Sequence, residues 1–528
     1  MAAARLRKRK CAPGGPEGER PSFAPTTPWV RLALFLAALR LLNCFLVRTS
    51  FVPDEYWQAL EVAHRAAFGY GFLTWEWAQG LRSALYPLFF AGIYKGLELV
   101  GKDSVHLLIW LPRVAQALLA AVADVRLYSF AKWLDGPEVA QWVVFCQLCS
   151  WFTWYCCTRT LTNATEAALC TIALSFYPLP GTKAGSSSAR YLILAAVAFI
   201  IRPTAAIFWA PLLFWHFWTE TSERRLHLLL LRCLSVGLVT LGSSLVLDRI
   251  FYGKWVVVQL NFLRFNVLQG AASFYGSHPW HWYATQGLPA ILGPHLPLFV
   301  LGCLRTPRRA PHRLLLALIL WTVAAYSALS HKEFRFLLPV LPLCMLFCGH
   351  ALHGLGKGRR KVAAGALLAS NALLGLYLGL VHQRGTLDLM AHLRDLCPSS
   401  SSAEQQDPPS VMMLMPCHST PFYSHIHCPL QMRFLQCPPD LDGRADYQDE
   451  ADAFYAAPLQ WLQAEFAGNS SSATPPSHLA LFRGLQKEID PFLHAHGYER
   501  RASFFHTHLP QGRVGSHIDV YERDPERS

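Results

Sequence analysis

Pro53-Asp54-Glu55 follows the first long apolar run of the chain at once. Two adjacent carboxylates therefore stand at the edge of a membrane, where an unpaired charge is costly unless it is used. A transferase acting on a lipid-linked substrate needs a base at that depth, and Asp54 and Glu55 are candidates. A plain helix cap by Asp54 is the competing reading. The stretch after them, Arg48 to Tyr86, also carries Glu61, His64, Glu76 and Arg82, and residues 54–66 are expected to form an interfacial helix. A second cluster, His331-Lys332-Glu333-Phe334-Arg335-Phe336, sits in a very short connection between two apolar runs. Three cationic side chains there suit a phosphate at the membrane surface, or equally a set of snorkelling helix anchors. The third cluster, Phe274 to Tyr283 with His278, offers aromatic faces and imidazoles to a sugar or head group, or forms an aromatic belt.

The elements that must hold these groups are membrane helices. Of the 528 residues 52% are hydrophobic and only 15% charged. Apolar segments recur near residues 28–48, 86–100, 105–131, 138–157, 165–179, 190–201, 204–218, 226–247, 288–304, 313–329, 336–353 and 362–381. This is a polytopic α-helical membrane protein. The net charge of +13 is spread over short loops, which fits the positive-inside rule rather than nucleic acid. The sets Arg224-Arg225, Arg305 to Arg313 and Lys357 to Lys361 are expected in the cytosol. The loop containing Asp54, residues 248–287, 330–335 and everything after 382 then fall on the far side.

Twelve segments cannot join a cytosolic N-terminus to a far-side C-terminus. Segment 86–100, short and carrying Lys95 and Glu98, is the one expected not to cross, which leaves about eleven transmembrane helices. Arg202-Pro203 could mark a pair of half-helices. Within the spans, Asp124 is expected to pair with Arg113 or Arg126.

Three regions result. Residues 1–27 form a basic, disordered cytosolic tail; 28–382 form the membrane domain with loop 49–86; 383–528 form a soluble α/β domain. In that domain Val411 to Met415 reads as a buried strand, and Ser503 to Tyr521 as a strand pair. Residues 398–409 read as a linker. Cys397, Cys417, Cys428 and Cys437 allow two disulfides in an oxidising lumen, with three connectivities open. Asn469-Ser470-Ser471 is a glycosylation sequon. A second, Asn163-Ala164-Thr165, abuts a span and should be inaccessible. A zinc reading of Cys417, His418, His425, His427 and Cys428 matches no standard framework. No nucleotide-binding loop is present, which favours a lipid-carried donor, and a metal-free reaction is expected.

Pro53-Asp54-Glu55, Thr74-Trp75-Glu76-Trp77 and His331-Lys332-Glu333-Phe334-Arg335-Phe336 resemble motifs of the dolichyl-phosphate-mannose-dependent α-mannosyltransferases of GT-C fold. Val52 stands where that family's motif has His. The stretch Gln147 to Asn163 and the C-terminal domain are most similar to the branch acting on the glycosylphosphatidylinositol (GPI) lipid precursor. The resemblance implies an endoplasmic-reticulum membrane enzyme with a luminal site. Its donor would be dolichyl-phosphate mannose and its product an α-1,2 bond to a third mannose, formed with inversion and without a cofactor. Inversion needs one base. That role falls to Asp54, with Glu55 in support; Glu76 and Arg82 would contact the acceptor, and His278 would bind substrate. His331, Lys332 and Arg335 would stabilise the leaving phosphate. A mannosyltransferase of N-glycan precursors, a lipid or sugar transporter and a non-catalytic scaffold are the alternatives.

Overall fold

The computed structural model describes residues 27–180, 188–307, 309–397, 408–440, 444, 446–466 and 474–524. Every apolar segment read from the sequence is helical. Among the described residues seven helical stretches are long and apolar enough to cross a bilayer: Pro28–Leu46, Val105–Asp135, Ser222–Tyr252, Tyr283–Arg305, Ala310–Ala328, Phe334–His353 and Lys357–Leu396. Shorter apolar helices pack among them, including Pro137–Cys149, Thr162–Leu174, Ser188–Ile201 and Ala205–Thr219. The chain turns between the last two at Arg202-Pro203.

Phe334–His353 lies at the centre, 83% of its apolar window buried, whereas Ser222–Tyr252 is only 6% buried and presents its sides outward. The central helix carries the close-packing Gly349, whose Cα has the Val143 backbone against it; any side chain there would clash.

Helix Leu85–Leu99 packs along the Glu61–Phe68 helix, with Tyr94 against Phe68. Just beyond its C-terminal end Asp103 meets His427 of the C-terminal domain at 3.4 Å. Its start is tied to Asp248 at the end of the Ser222–Tyr252 helix, which accepts from Ala84 N at 2.8 Å.

The expected pairing of Asp124 is corrected. Asp124 pairs not with Arg113 or Arg126 but with Arg40 of the first helix, at 2.6 Å and fully buried. Arg113 lies about three turns earlier on the same helix and donates to the carbonyls of Cys44 and Val47. Arg202 pairs with Glu166 at 3.0 Å. The Asn163 sequon is buried, Asn163 at 0% exposure.

The C-terminal region builds one mixed sheet of order β2-β1-β3-β5-β4: β1 Ser410–Leu414, β2 Gln431–Phe434, β3 His478–Phe482, β4 Tyr498–Phe505 and β5 His517–Arg523. β1 runs parallel to β2 and β3, while β3–β5 and β5–β4 are antiparallel. One face is covered by helices Pro458–Phe466 and Gln486–Ala495. The other buries Met413, Phe434 and Val520 against Trp57, Leu60 and Tyr94 of the membrane domain. Disulfides join Cys397 to Cys428 and Cys417 to Cys437. Thiols so used are not available to zinc. Residues 398–407 of the expected linker, and Asn469, lie outside the described residues.

Candidate active site

Pro53 starts a helix: its carbonyl accepts from Tyr56 N and Trp57 N, both at 3.0 Å. Asp54 and Glu55 thus occupy a first helical turn, where the backbone dipole favours negative charge. The next five residues, Tyr56–Leu60, form a widened π turn, a local irregularity frequent at functional sites. The expected interfacial helix over 54–66 is instead covered by protein. Trp57 donates through Nε1 to Thr420 O at 3.0 Å, and the buried Glu61 carboxylate accepts from Phe422 N, Ser424 N and Ser424 Oγ. Burial pushes the Glu61 carboxyl up to about 7, against those hydrogen bonds.

Asp54 faces a cavity of about 960 Å³, which also receives Glu76, Arg82, His278, His331, Lys332 and Arg335. Seven of the eight residues singled out for chemistry thus share one space. The exception is Glu55. Its carboxylate is buried and held by Arg159 Nη1 at 2.8 Å, and it lines a separate cavity. Because consecutive side chains of the turn diverge, Glu55 neither supports Asp54 nor orients an acceptor beside it.

Arg335 organises the centre. Nε and Nη2 fork onto Glu333 Oε2 and Oε1, each at 2.6 Å, while Nη1 donates to Asp54 Oδ2 at 2.6 Å. No backbone N–H caps onto the Asp54 carboxylate among the described residues, and Oδ1 has no hydrogen-bond partner among them. Glu333 lies well below the usual carboxylate range: burial alone would raise it, but the Arg335 charge and the His331 hydrogen bond outweigh burial. His331 places Nδ1 3.0 Å from Gly276 O and Nε2 3.1 Å from Glu333 Oε1. Both partners are acceptors, so the imidazolium satisfies both. Burial pulls His331 down, yet Glu333 leaves it raised overall.

The expected trio of phosphate-binding cations therefore divides. Arg335 is committed to two carboxylates and His331 to one. Lys332 is 3% exposed, with Nζ on the carbonyls of His278 and Leu329. It has no carboxylate within ion-pair distance among the described residues, so its charge remains uncompensated. Arg82 pairs with Glu76 at 3.1 Å, and Gln58 reaches the same carboxylate at 3.3 Å.

Two residues of the cavity escaped sequence reasoning as site groups. Arg202 contributes from the helix break. His418 comes from the C-terminal domain, packed on Trp57 at 4.8 Å between ring centroids, and burial lowers it to about 4. Its neighbour Cys417 was the available signal, since a disulfide there ties a loop down over the membrane domain. The same cavity is also lined by apolar side chains, among them Phe199, Ile207, Phe262, Leu263 and Leu329. Such a mixed lining suits a ligand that joins sugar and phosphate to a hydrocarbon chain.

The Alg9-like mannosyltransferase family profile matches residues 31–427. GPI alpha-1,2-mannosyltransferase 3 of Homo sapiens is 61% identical over 94% of this chain and 87% of its own length. The Bos taurus protein of the same name is 60% identical over 94% of this chain and 89% of its own. GPI mannosyltransferase 3 of Yarrowia lipolytica is 38% identical over 90% and 93%. Among solved structures, ArnT from Cupriavidus metallidurans bound to undecaprenyl phosphate superposes with a TM-score of 0.59 at 14% identity, over 96% of this chain and 99% of that one. The apo form gives 0.58 at 15%. The GT-C fold follows from that likeness.

Proposed function

The chain belongs to the Alg9-like mannosyltransferase family, and we propose from that membership and from the cavity how it performs mannose transfer in GPI-anchor assembly. It is a multi-pass membrane glycosyltransferase that uses a lipid-linked donor. In our reading the donor is dolichyl-phosphate mannose. The acceptor is a GPI precursor with two mannoses, and the active face looks into the lumen of the endoplasmic reticulum.

Asp54 is the base. Its Oδ1 takes the proton of the acceptor hydroxyl as that oxygen attacks the anomeric carbon from the side opposite the phosphate. The β-linked donor then gives an α product in one inversion, so no second nucleophile is required. Lys332 meets the phosphate as the glycosidic bond breaks and charge develops on it. Arg335 fixes the Asp54 carboxylate, and Glu333 and His331 fix Arg335. Glu76 and Arg82 face the acceptor sugar, with His278 at the rim. The fixed cations supply the charge a metal would otherwise bring, so chelation of divalent ions should leave transfer unchanged.

The observation that carries this reading is the open Oδ1 of Asp54 in a cavity lined by both charged and apolar side chains. The test re-expresses wild type or Asp54→Asn in cells lacking the native enzyme. The reading requires wild type to restore GPI-anchored proteins while the mutant, equally expressed, accumulates lipids with two mannoses. Rescue by Asp54→Asn would remove Asp54 from the mechanism. Unchanged GPI lipids with wild type would redirect the search to N-glycan precursors.

A further inference from the structure

Glu55, turned away from the reacting groups, is one wall of a second cavity of about 350 Å³ between the membrane domain and the C-terminal domain. Three separate elements send cations to it. Arg48 follows the first helix. His106, Trp110 and Arg113 stand at one helical face of Val105–Asp135. Arg384 and Arg394 flank the helix Gly385–Leu393, which leads into the sheet domain.

The two acids of the cavity are already neutralised, Glu55 by Arg159 at 2.8 Å and Asp388 by Arg384 at 3.0 Å. Arg48, Arg113 and Arg394 have no carboxylate within ion-pair distance among the described residues. Like charges gathered without counter-charge repel, and a fold keeps them together only at a cost. The clearest mark is Arg113. It is 7% exposed, stacked over the Trp110 ring at 4.9 Å and spends Nη2 on two carbonyls, yet its buried Nε has no partner. A buried guanidinium N–H left open asks for an acceptor. His425 on the opposite wall is pushed down to about 3, first by burial and then by Arg113 and Arg394, so it adds no charge of its own.

Location narrows the acceptor. The cavity opens where the first helix ends and Val105–Asp135 begins, at one membrane boundary. Ile109, Trp110, Leu387 and Met390 make its walls apolar. Lipid phosphates lie at that depth, with acyl chains alongside the helices.

We propose that this cavity binds the phosphodiester of a membrane glycerolipid, Arg113 donating to it at the floor and Arg48 and Arg394 at the rim. Binding of the phosphate stands apart from the transfer reaction. Two lipids bring the same chemistry: the acceptor, whose glycan is built on phosphatidylinositol, and bulk anionic phospholipid.

The test reconstitutes the full-length enzyme in phosphatidylcholine nanodiscs doped with phosphatidylinositol and counts co-retained lipid by native mass spectrometry. Wild type should retain phosphatidylinositol over phosphatidylcholine. The charge reversal Arg48→Glu with Arg394→Glu, at exposed positions, should lower that retention by about tenfold per lost contact, and Arg48→Lys with Arg394→Lys should keep most of it. Equal retention of the two lipids by wild type overturns the proposal without any variant, as does undiminished retention by a folded charge-reversed protein. Kinetics then separate the sources. A raised KM for acceptor at unchanged kcat identifies the acceptor phosphate, and an unchanged KM with lost retention identifies bulk lipid.

Discussion

Asp54 and Arg335 are 281 residues apart in sequence and meet at 2.6 Å. The same guanidinium holds Glu333 with its other two directions, so a first-loop carboxylate and a late-loop carboxylate share one rigid fork. Lysine carries the charge but cannot make the fork. Arg335→Lys is therefore expected to lower kcat by about 10²-fold through misplacement of the base, with little change in donor KM. Steady-state kinetics on purified enzyme check this; an unchanged kcat would mean that Asp54 needs no orienting partner.

Lys332 alone of the charged loop residues keeps its charge uncompensated. Lys332→Gln should lower kcat by about 10²–10³-fold, the usual effect of removing one transition-state donor, while Lys332→Arg retains more. Equal losses in both would point to packing rather than charge.

The membrane class, the helical segments, the β1 strand and the β4–β5 pair were legible because they depend on local composition and period. So was most of the site, since Asp54, Glu76 and His331 to Arg335 fall in short polar breaks between apolar runs. What did not follow from sequence was direction. Adjacent carboxylates on one turn point to different cavities, and only tertiary contact decides that Glu55 meets Arg159 while Asp54 meets Arg335. The partner of Asp124 was missed for the same reason: Arg40 lies on a helix distant in sequence, whereas Arg113 and Arg126 are near along the chain. His418 entered the site through domain docking, for which the neighbouring Cys417 was the one local signal.

Glu61 gives the docking a pH dependence. Its folded value, about 7, stands above the ordinary 4.5. A raised carboxyl favours the folded state fully below the unfolded value, and that contribution is lost as pH rises through the folded one. Stability should thus fall between about pH 4.5 and pH 7, by up to about 3 kcal/mol. Glu61→Gln should flatten that slope. Thermal unfolding of the detergent-solubilised protein across this range is the measurement, and a slope surviving in the variant would assign it to another group.

The Cys417–Cys437 disulfide closes a short loop that carries His418 to the cavity and Thr420 to Trp57. Its sequence separation is 20. Replacing both cysteines by serine should cost about 3 kcal/mol in the C-terminal domain and reduce transfer more than it reduces expression. Activity compared with protein level in complemented cells distinguishes the two, and full activity would mean that His418 does not need to be held.

The burial of Phe334–His353 has a consequence for how the protein is made. That helix is enclosed by others but is synthesised after most of them. The preceding helices must leave a gap in the bilayer until it arrives, and lipid must leave that gap as it enters. Arg335 sits on the turn that opens this late helix. The base is therefore oriented only once membrane insertion is nearly finished, and a chain stalled before residue 334 has its carboxylate in place but nothing to aim it.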